Sequence, residues 1–130
     1  MKRFFTILIA LLSLTLVACG DGRTPQSTTE AFFTAIEQGE FEEALQHTTL
    51  GNEGDTALYC AIMEKEQKSI LAKGGIEKVE IINEEKLAED ENLIITTAMI
   101  TYGNGTTHEE FCKMVKIENR WKIDVNLDSK

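Results

Sequence analysis

The segment "LIITTAMITYGNGTTHEEFCKMVKIENRWKI", residues 93–123, decides the fold. β-Branched and aromatic residues are frequent in it, and such residues favour strands. Asn104-Gly105 is a strong signal for a tight hairpin turn, and the chain turns again at Glu118-Asn119 or at Asn119-Arg120. The segment therefore predicts three successive antiparallel strands, at Leu93–Tyr102, Phe111–Ile117 and Trp121–Leu127.

The preceding residues predict one more strand and, before it, helices. Ile76–Leu87 alternates as a strand does. Thr24-Pro25 reads as the N-cap and first position of a helix that ends at Gly39, a second helix starts at Glu40, and a third covers Thr56–Lys73. Helices followed by a four-stranded antiparallel meander make an α+β fold, with the helices on one face of the sheet.

A two-residue turn at Asn104-Gly105 would place Ile95 opposite Met114 and Thr97 opposite Cys112. The sheet face expected against the helices then carries Ile95, Met99, Cys112, Met114, Trp121, Ile123 and Val125. The opposite face carries Thr96, Ile100, Tyr102, Phe111 and Val115, mixed with Glu109 and Lys113. That face is only partly polar, so a second subunit or another partner could cover it, giving a homodimer in the first case.

The order of these motifs resembles that of a known family. "TPQSTTEAFFTAIEQGEFEEAL" (residues 24–45), with its Gly39, Phe41 and Ala44 step, resembles the opening of bacterial lipoprotein domains with the nuclear-transport-factor-2-like, or cystatin-like, cone fold. The Trp121-Lys122-Ile123 ending also resembles that family. The resemblance implies the cone fold for a domain of unknown function, and it implies no activity.

The first residues are typical of a secretory signal. Lys2 and Arg3 precede the apolar stretch Phe4–Ala18, which is too short to span a bilayer comfortably. Leu16-Val17-Ala18-Cys19 resembles the bacterial lipobox, which implies acylation of Cys19 and cleavage before it. The expected organisation is a signal peptide at 1–18, lipidated cysteine and tether at 19–24, and domain at 25–130. An ordinary signal peptide or a permanent membrane helix are the alternatives.

This anchor sets the expected location and partners. The protein would lie in the cell envelope, bound to the bilayer through acylated Cys19. Gly20 follows the cysteine, in place of the Asp that retains enterobacterial lipoproteins at the inner membrane, so the periplasmic face of the outer membrane is expected in a Gram-negative host.

The charge of the chain is strongly acidic. It has 13 Lys and Arg against 22 Asp and Glu, and loss of Lys2 and Arg3 with the signal leaves a net charge of −11. Residues 24–64 contain eight acidic residues and no Lys or Arg. Nucleic-acid binding requires a basic surface and is therefore not expected. The acidic stretch is either a solvated helical surface or a face for a cationic partner.

The remaining residues suggest no catalytic, metal or cofactor site. His47 and His108 are far apart and lack a metal-ligand motif. Enzymes with the cone fold place an acid or base and a Tyr in the pocket, where Asp124 and Tyr59 are the candidates. Asp124 has the outward parity of its strand, so we expect no enzyme. Cys60 and Cys112 both point toward the helix–sheet layer and predict a disulfide, with two buried free thiols as the alternative.

Two functions remain open. The first is a non-catalytic envelope module that binds another protein. The second is a carrier or sensor of a small apolar ligand in the cone between helices and sheet, lined by Phe32, Phe33, Met63, Met99 and Trp121. An open apolar pocket of several hundred cubic ångströms would favour the carrier, whereas a filled core would exclude it.

Overall fold

The computed structural model describes residues 22–51, 56–87 and 89–125, and within them three helices precede four strands. The helices are α1 (Pro25–Glu37), α2 (Phe41–Gln46) and α3 (Thr56–Ala72). The strands are β1 (Ile76–Leu87), β2 (Asp90–Tyr102), β3 (Thr107–Ile117) and β4 (Arg120–Ile123). They form one antiparallel sheet in the order β1-β2-β3-β4, which confirms the predicted α+β meander.

Helix α1 begins where its capping residues require. The Thr24 hydroxyl accepts a hydrogen bond from the Ser27 N–H at 3.0 Å, and the Ser27 hydroxyl accepts one from the Thr24 N–H at 3.3 Å. Pro25 occupies the first turn, where its missing N–H costs nothing. After the helix, Gly39 adopts a φ of +80°, a conformation that favours glycine.

Helix α1 also fastens both outer strands of the sheet. The Gln26 side chain donates to the Val79 carbonyl at 2.7 Å and accepts from the Ile81 N–H at 2.8 Å, so it satisfies the edge of β1. The buried Thr28 hydroxyl donates to the Trp121 carbonyl in β4 at 3.0 Å. The first turn of the helix is thereby held to both edges of the sheet.

The β2–β3 hairpin has a longer turn than the sequence predicted. Ile94 pairs with Met114 and Thr96 with Cys112, one residue away from the predicted register. The Tyr102 N–H donates to the Thr106 carbonyl at 2.9 Å, which leaves a three-residue loop between them. Gly105 in this loop has a φ of +90°, as expected of the bulge that closes three-residue hairpin loops.

The cause of this longer turn is a contact with the end of α3. The Gly103 N–H donates to the Gly75 carbonyl at 2.8 Å, and the Asn104 N–H donates to the Lys73 carbonyl at 2.9 Å. A Cβ atom at Gly103 would overlap the Gly74 carbonyl. The hairpin tip therefore includes Gly103 because only glycine fits against α3.

The shifted register exchanges the two faces of β2. Its buried residues are Ile94, Thr96, Thr97, Ala98, Ile100 and Tyr102. Ile95 and Met99, predicted to face the helices, lie on the outer face instead, and Thr96, Ile100 and Tyr102 were wrongly predicted to lie there. The faces of β3 and β4 agree with the prediction, with Cys112, Met114, Trp121 and Ile123 buried and Phe111 70% exposed.

The β3–β4 turn is the two-residue one at Glu118-Asn119, which was one of the two predicted positions. Both residues have positive φ values, +52° and +70°, as a type I′ turn requires.

The core consists of two apolar clusters. The larger joins the three helices to β1 and the end of β2, and it consists of Phe33, Ala35, Ile36, Ala44, Leu45, Met63, Ile70, Val79, Ile100 and Tyr102. The smaller lies on β2, β3 and β4 and consists of Ile94, Cys112, Met114, Trp121 and Ile123. Phe32 packs against both. Leu71 on α3 belongs to neither cluster and is 54% exposed.

The first 21 residues, which carry the predicted signal peptide and Cys19, lie outside the described residues. Within the described part of the chain, no helix is long and apolar enough to cross a membrane.

Trp121→Ala is expected to destabilise the domain by roughly 3–5 kcal/mol, because it removes the largest side chain of the smaller cluster. Urea unfolding of the purified protein measures this change. Phe111→Ala, on the same sheet but exposed, is the matched control and should change stability by about 0.5 kcal/mol or less. Equal losses in the two variants would contradict the assigned faces.

Candidate functional site

An apolar cleft opens between α3, the middle of β3 and the end of β4, with α1 at its base. Its volume is about 340 Å³. The lining residues are Phe32, Phe33, Ile36, Leu45, Tyr59, Ile62, Met63, Glu66, Glu110, Phe111, Cys112, Lys113, Ile123, Asp124 and Val125. Ligand pockets have volumes of about 300–1,000 Å³ and mostly apolar walls, so the cleft is large enough for a small ligand or a side chain of a partner.

The base of the cleft is an aromatic pair. The rings of Phe32 and Phe33 meet edge to face, with centroids 5.1 Å apart. Both residues and Met63 line the cleft, as the sequence predicted.

Two predicted lining residues lie elsewhere. Met99 belongs to the outer sheet face, paired with Glu80 and Glu109, because the hairpin register differs from the predicted one. Trp121 is buried in the smaller cluster, next to the cleft rather than in its lining. Of the five predicted lining residues, the three on the helices line the cleft and the two on the strands do not.

Acidic side chains lie at the rim of the cleft. Glu66 on α3, Glu110 on β3 and Asp124 after β4 line it together with one cation, Lys113. The Lys113 Nζ atom lies 3.5 Å from an Asp124 carboxylate oxygen. Burial raises the pKa of Tyr102, and the charges of Glu66 and Glu110 raise it further.

Cys112 is a buried thiol in the cleft wall. Burial, with a smaller contribution from Glu110, raises the pKa of this thiol to about 11, despite a hydrogen bond with Thr96 that acts in the opposite direction. The thiol is therefore protonated at neutral pH and behaves as a small apolar wall group.

The disulfide expected between Cys60 and Cys112 is absent, and both cysteines are free. Cys60 packs at the margin of the larger cluster, whereas Cys112 belongs to the smaller one. Both side chains face the helix–sheet layer, but they belong to different parts of it. The prediction rested on both side chains pointing inward, and that alone is not sufficient for a disulfide bond.

The two side chains considered for catalysis both reach the cleft. Tyr59 lies on the α3 wall and Asp124 at the mouth. The Asp124 carboxylate accepts a hydrogen bond from the Thr49 hydroxyl at 3.3 Å in addition to its contact with Lys113. These two contacts involve both carboxylate oxygens of Asp124. Among the described residues, no group of three or more His, Cys, Asp or Glu could hold a metal ion.

Sequence reasoning named Tyr59 and Met63 of the α3 wall but not Ile62 and Glu66. Tyr59, Ile62, Met63 and Glu66 follow the helical spacing i, i+3, i+4, i+7, which places them on one face. That spacing would have identified the wall. Glu110 was not identified, and the predicted outward parity of Asp124 did not show that it lines the mouth, because both contributions depend on where β4 ends.

Comparisons with known proteins identify the family. A family model described as "Domain of unknown function (DUF4878)" matches residues 17–124. The chain is a member of the DUF4878 family. No curated protein matches it.

Solved structures resemble this DUF4878 domain in fold. A Campylobacter jejuni protein described as an NTF2-like transpeptidase has a TM-score of 0.66 at 10% identity, over 79% of this chain and 99% of that one. A SEC-C motif-containing protein from Rhodopseudomonas palustris has a TM-score of 0.53 at 14% identity, over 80% and 77%. These similarities confirm the NTF2-like fold predicted from the resemblance. They show the fold alone and assign no activity to this chain.

The alkylation rate of Cys112 by iodoacetamide is expected to rise about tenfold for each pH unit between pH 7 and pH 10. Only the thiolate reacts, and its fraction grows in this way below a pKa of about 11. Mass spectrometry of the Cys112 peptide measures the rate separately from any reaction at Cys60. A plateau below pH 9 would contradict the raised pKa.

Proposed function

We propose that this protein is a lipid-anchored lipoprotein of the bacterial cell envelope, acylated at Cys19. Support comes from the basic Lys2-Arg3 start, the apolar stretch that follows and the lipobox-like Leu16–Cys19. In a Gram-negative host, Gly20 after the cysteine favours the outer membrane.

One contact in the described structure supports a short tether. The buried Gly22 carbonyl accepts a hydrogen bond from the Trp121 N–H at 2.8 Å, so the chain is already fixed to β4 at this residue. Only Gly20 and Asp21 then separate the acylated cysteine from the domain. At about 3.5 Å per residue, Gly22 would lie within roughly 10 Å of the acylated residue.

The domain itself is proposed to be a non-catalytic binding module whose ligand inserts an apolar group into the cleft. The observation that carries this proposal is the open apolar cavity of about 340 Å³ between α3 and β3. A filled core would have excluded ligand binding, and the cavity is not filled by the described side chains. The exposed apolar side chain of Ile62 at the mouth, 47% accessible, adds to the apolar surface that a ligand would cover.

Cys19→Ser is expected to leave an unprocessed precursor and to abolish incorporation of radioactive palmitate in cells, because the acyl acceptor is removed. Labelling and precursor size on a gel measure the outcome. Cys60→Ser, which retains Cys19, is the control and should remain labelled. Labelling that persists in the Cys19 variant would refute the lipoprotein assignment.

The cleft is tested with a photoreactive palmitic acid and the full-length protein in nanodiscs. Adducts are expected to map to cleft residues such as Met63, and Ile62→Asp should reduce them about tenfold because it places a charge at the mouth. Leu71→Asp is the matched control, since Leu71 is similarly exposed on the same helix but does not line the cleft.

The labelling pattern decides this proposal. Unchanged labelling in Leu71→Asp together with the loss in Ile62→Asp supports binding in the cleft. Adducts spread evenly over the surface, or equal losses in the two variants, would refute it.

A further inference from the structure

Part of the edge of β3 has no strand beside it among the described residues. Strand β4 pairs only with Met114–Ile117, while β3 begins at Thr107. The last contact beyond that pairing is the hydrogen bond from the Asp124 N–H to the Lys113 carbonyl, at 2.8 Å. In the described structure, the segment Thr107–Phe111 therefore borders β2 on one side only.

The backbone groups that point to this edge can be identified. In an antiparallel strand, alternate residues direct both N–H and C=O to the same side. The Lys113 carbonyl points toward β4, where it accepts the bond from Asp124. Phe111 and Glu109 have the same parity as Lys113. Their N–H and C=O groups therefore point toward the same edge of β3, beyond the part that β4 covers. An unpaired row of this kind is a template for another strand.

The apolar cleft borders this edge. Its lining includes four consecutive residues of β3, Glu110–Lys113. Side chains alternate between the two faces of a sheet, so four consecutive residues cannot all point into one cavity. They contact it together because the cleft opens along the backbone edge of the strand.

Charges around the edge favour a basic ligand. Glu66, Glu110 and Asp124 line the cleft against one cation, Lys113. On the outer face, Glu109 follows the same edge, and the exposed Phe111 ring can stack with a cation. The combination is an apolar interior with acidic groups on both sides of the open edge.

We propose that an extended segment of a partner protein, with alternating apolar and basic residues, binds here as an added strand beside Thr107–Phe111. Its inward apolar side chains enter the cleft between β3 and α3, and its outward basic side chains lie beside Glu109 and Phe111. This proposal rests on the proposed function, since the cleft is the site in both, and it names the occupant. Strand addition to an open edge is a recurring mode of peptide recognition.

The geometry fixes which amides of the peptide are needed. In an antiparallel pair, a residue opposite Phe111 or Glu109 exchanges hydrogen bonds with it, and its side chain points to the same outer face. The basic residues of the added strand therefore donate their N–H groups to β3, whereas the N–H groups of the apolar residues point away.

The probe is an acetylated and amidated peptide in which lysine and valine alternate. It is titrated against the full-length protein in phosphatidylcholine nanodiscs, with empty nanodiscs as the blank. N-Methylation of a central lysine amide is expected to weaken binding about tenfold, the effect of one lost hydrogen bond. N-Methylation of the neighbouring valine amide should leave the affinity nearly unchanged. Equal effects of the two methylations would overturn the proposal.

Hydrogen exchange locates the bound strand. The Glu109 and Phe111 amides are expected to exchange rapidly in the free protein and to become protected when the peptide binds. Protection elsewhere, without protection of these two amides, would overturn the proposal.

Two substitutions at one position separate the backbone from the charge. Glu109→Pro removes an N–H that faces the open edge, where proline is tolerated, and should weaken peptide binding about tenfold. Glu109→Gln keeps the N–H and removes only the charge, so a loss of about threefold is expected. Equal losses would overturn strand addition.

Two further measurements test two other possible occupants of this site, namely the residues of this chain that follow Val125 and a fatty acyl chain. A chain ending at Val125 is expected to bind the peptide at least as tightly as the full chain, and a loss of affinity would overturn the proposal. The second outcome is that photoreactive palmitic acid labels the cleft of a protein that does not bind the peptide. That result would overturn the peptide as occupant and would leave the proposed function intact.

Discussion

The attachment of helix α1 to both outer strands is the interaction on which the rest of the structure depends. Gln26 bonds to the edge of β1, and Thr28 bonds to the Trp121 carbonyl in β4. Each bond satisfies a backbone group at a strand edge that would otherwise need water or another strand. Because the first turn of the helix is fixed to both edges of the sheet, Phe32 packs against both core clusters and forms the base of the cleft together with Phe33.

The features that the sequence predicted well are those that depend on neighbouring residues. The Thr24 cap, the Gly39 stop and the turn at Glu118-Asn119 all arise from local geometry; the first two were identified, and the turn was one of two predicted positions. The hairpin register was missed because Gly103 is required by a contact with Gly74, which is distant in sequence. That single residue reverses the two faces of β2, and it explains why Met99 was placed in the pocket.

The cleft was predictable only in part for a similar reason. A helical stripe identifies its α3 wall, and the parity of β3 places Cys112 correctly in its sheet wall. The opening of the cleft, however, depends on β4 ending at Ile123 while β3 extends back to Thr107. Strand length of this kind has no local signal, because residues after Ile123 continue the same alternation of apolar and polar types. The acidic rim follows from the opening and was therefore also not identified.

Charge and geometry together suggest how the domain would lie on a membrane if Cys19 is acylated as proposed. Arg23 follows Gly22 directly, and Arg120 lies beside Gly22, so two basic residues are at the anchored end. The rest of the mature domain is strongly acidic, and an anionic surface attracts the first group and repels the second over about 10 Å. Arg120 pairs with Ile117 at one end of β3, whereas Phe111 lies about 20 Å and Thr107 about 33 Å further along the strand. The anchored end would therefore face the bilayer, and the open edge of β3 with the acidic rim of the cleft would face away from it, toward proteins in the surrounding compartment.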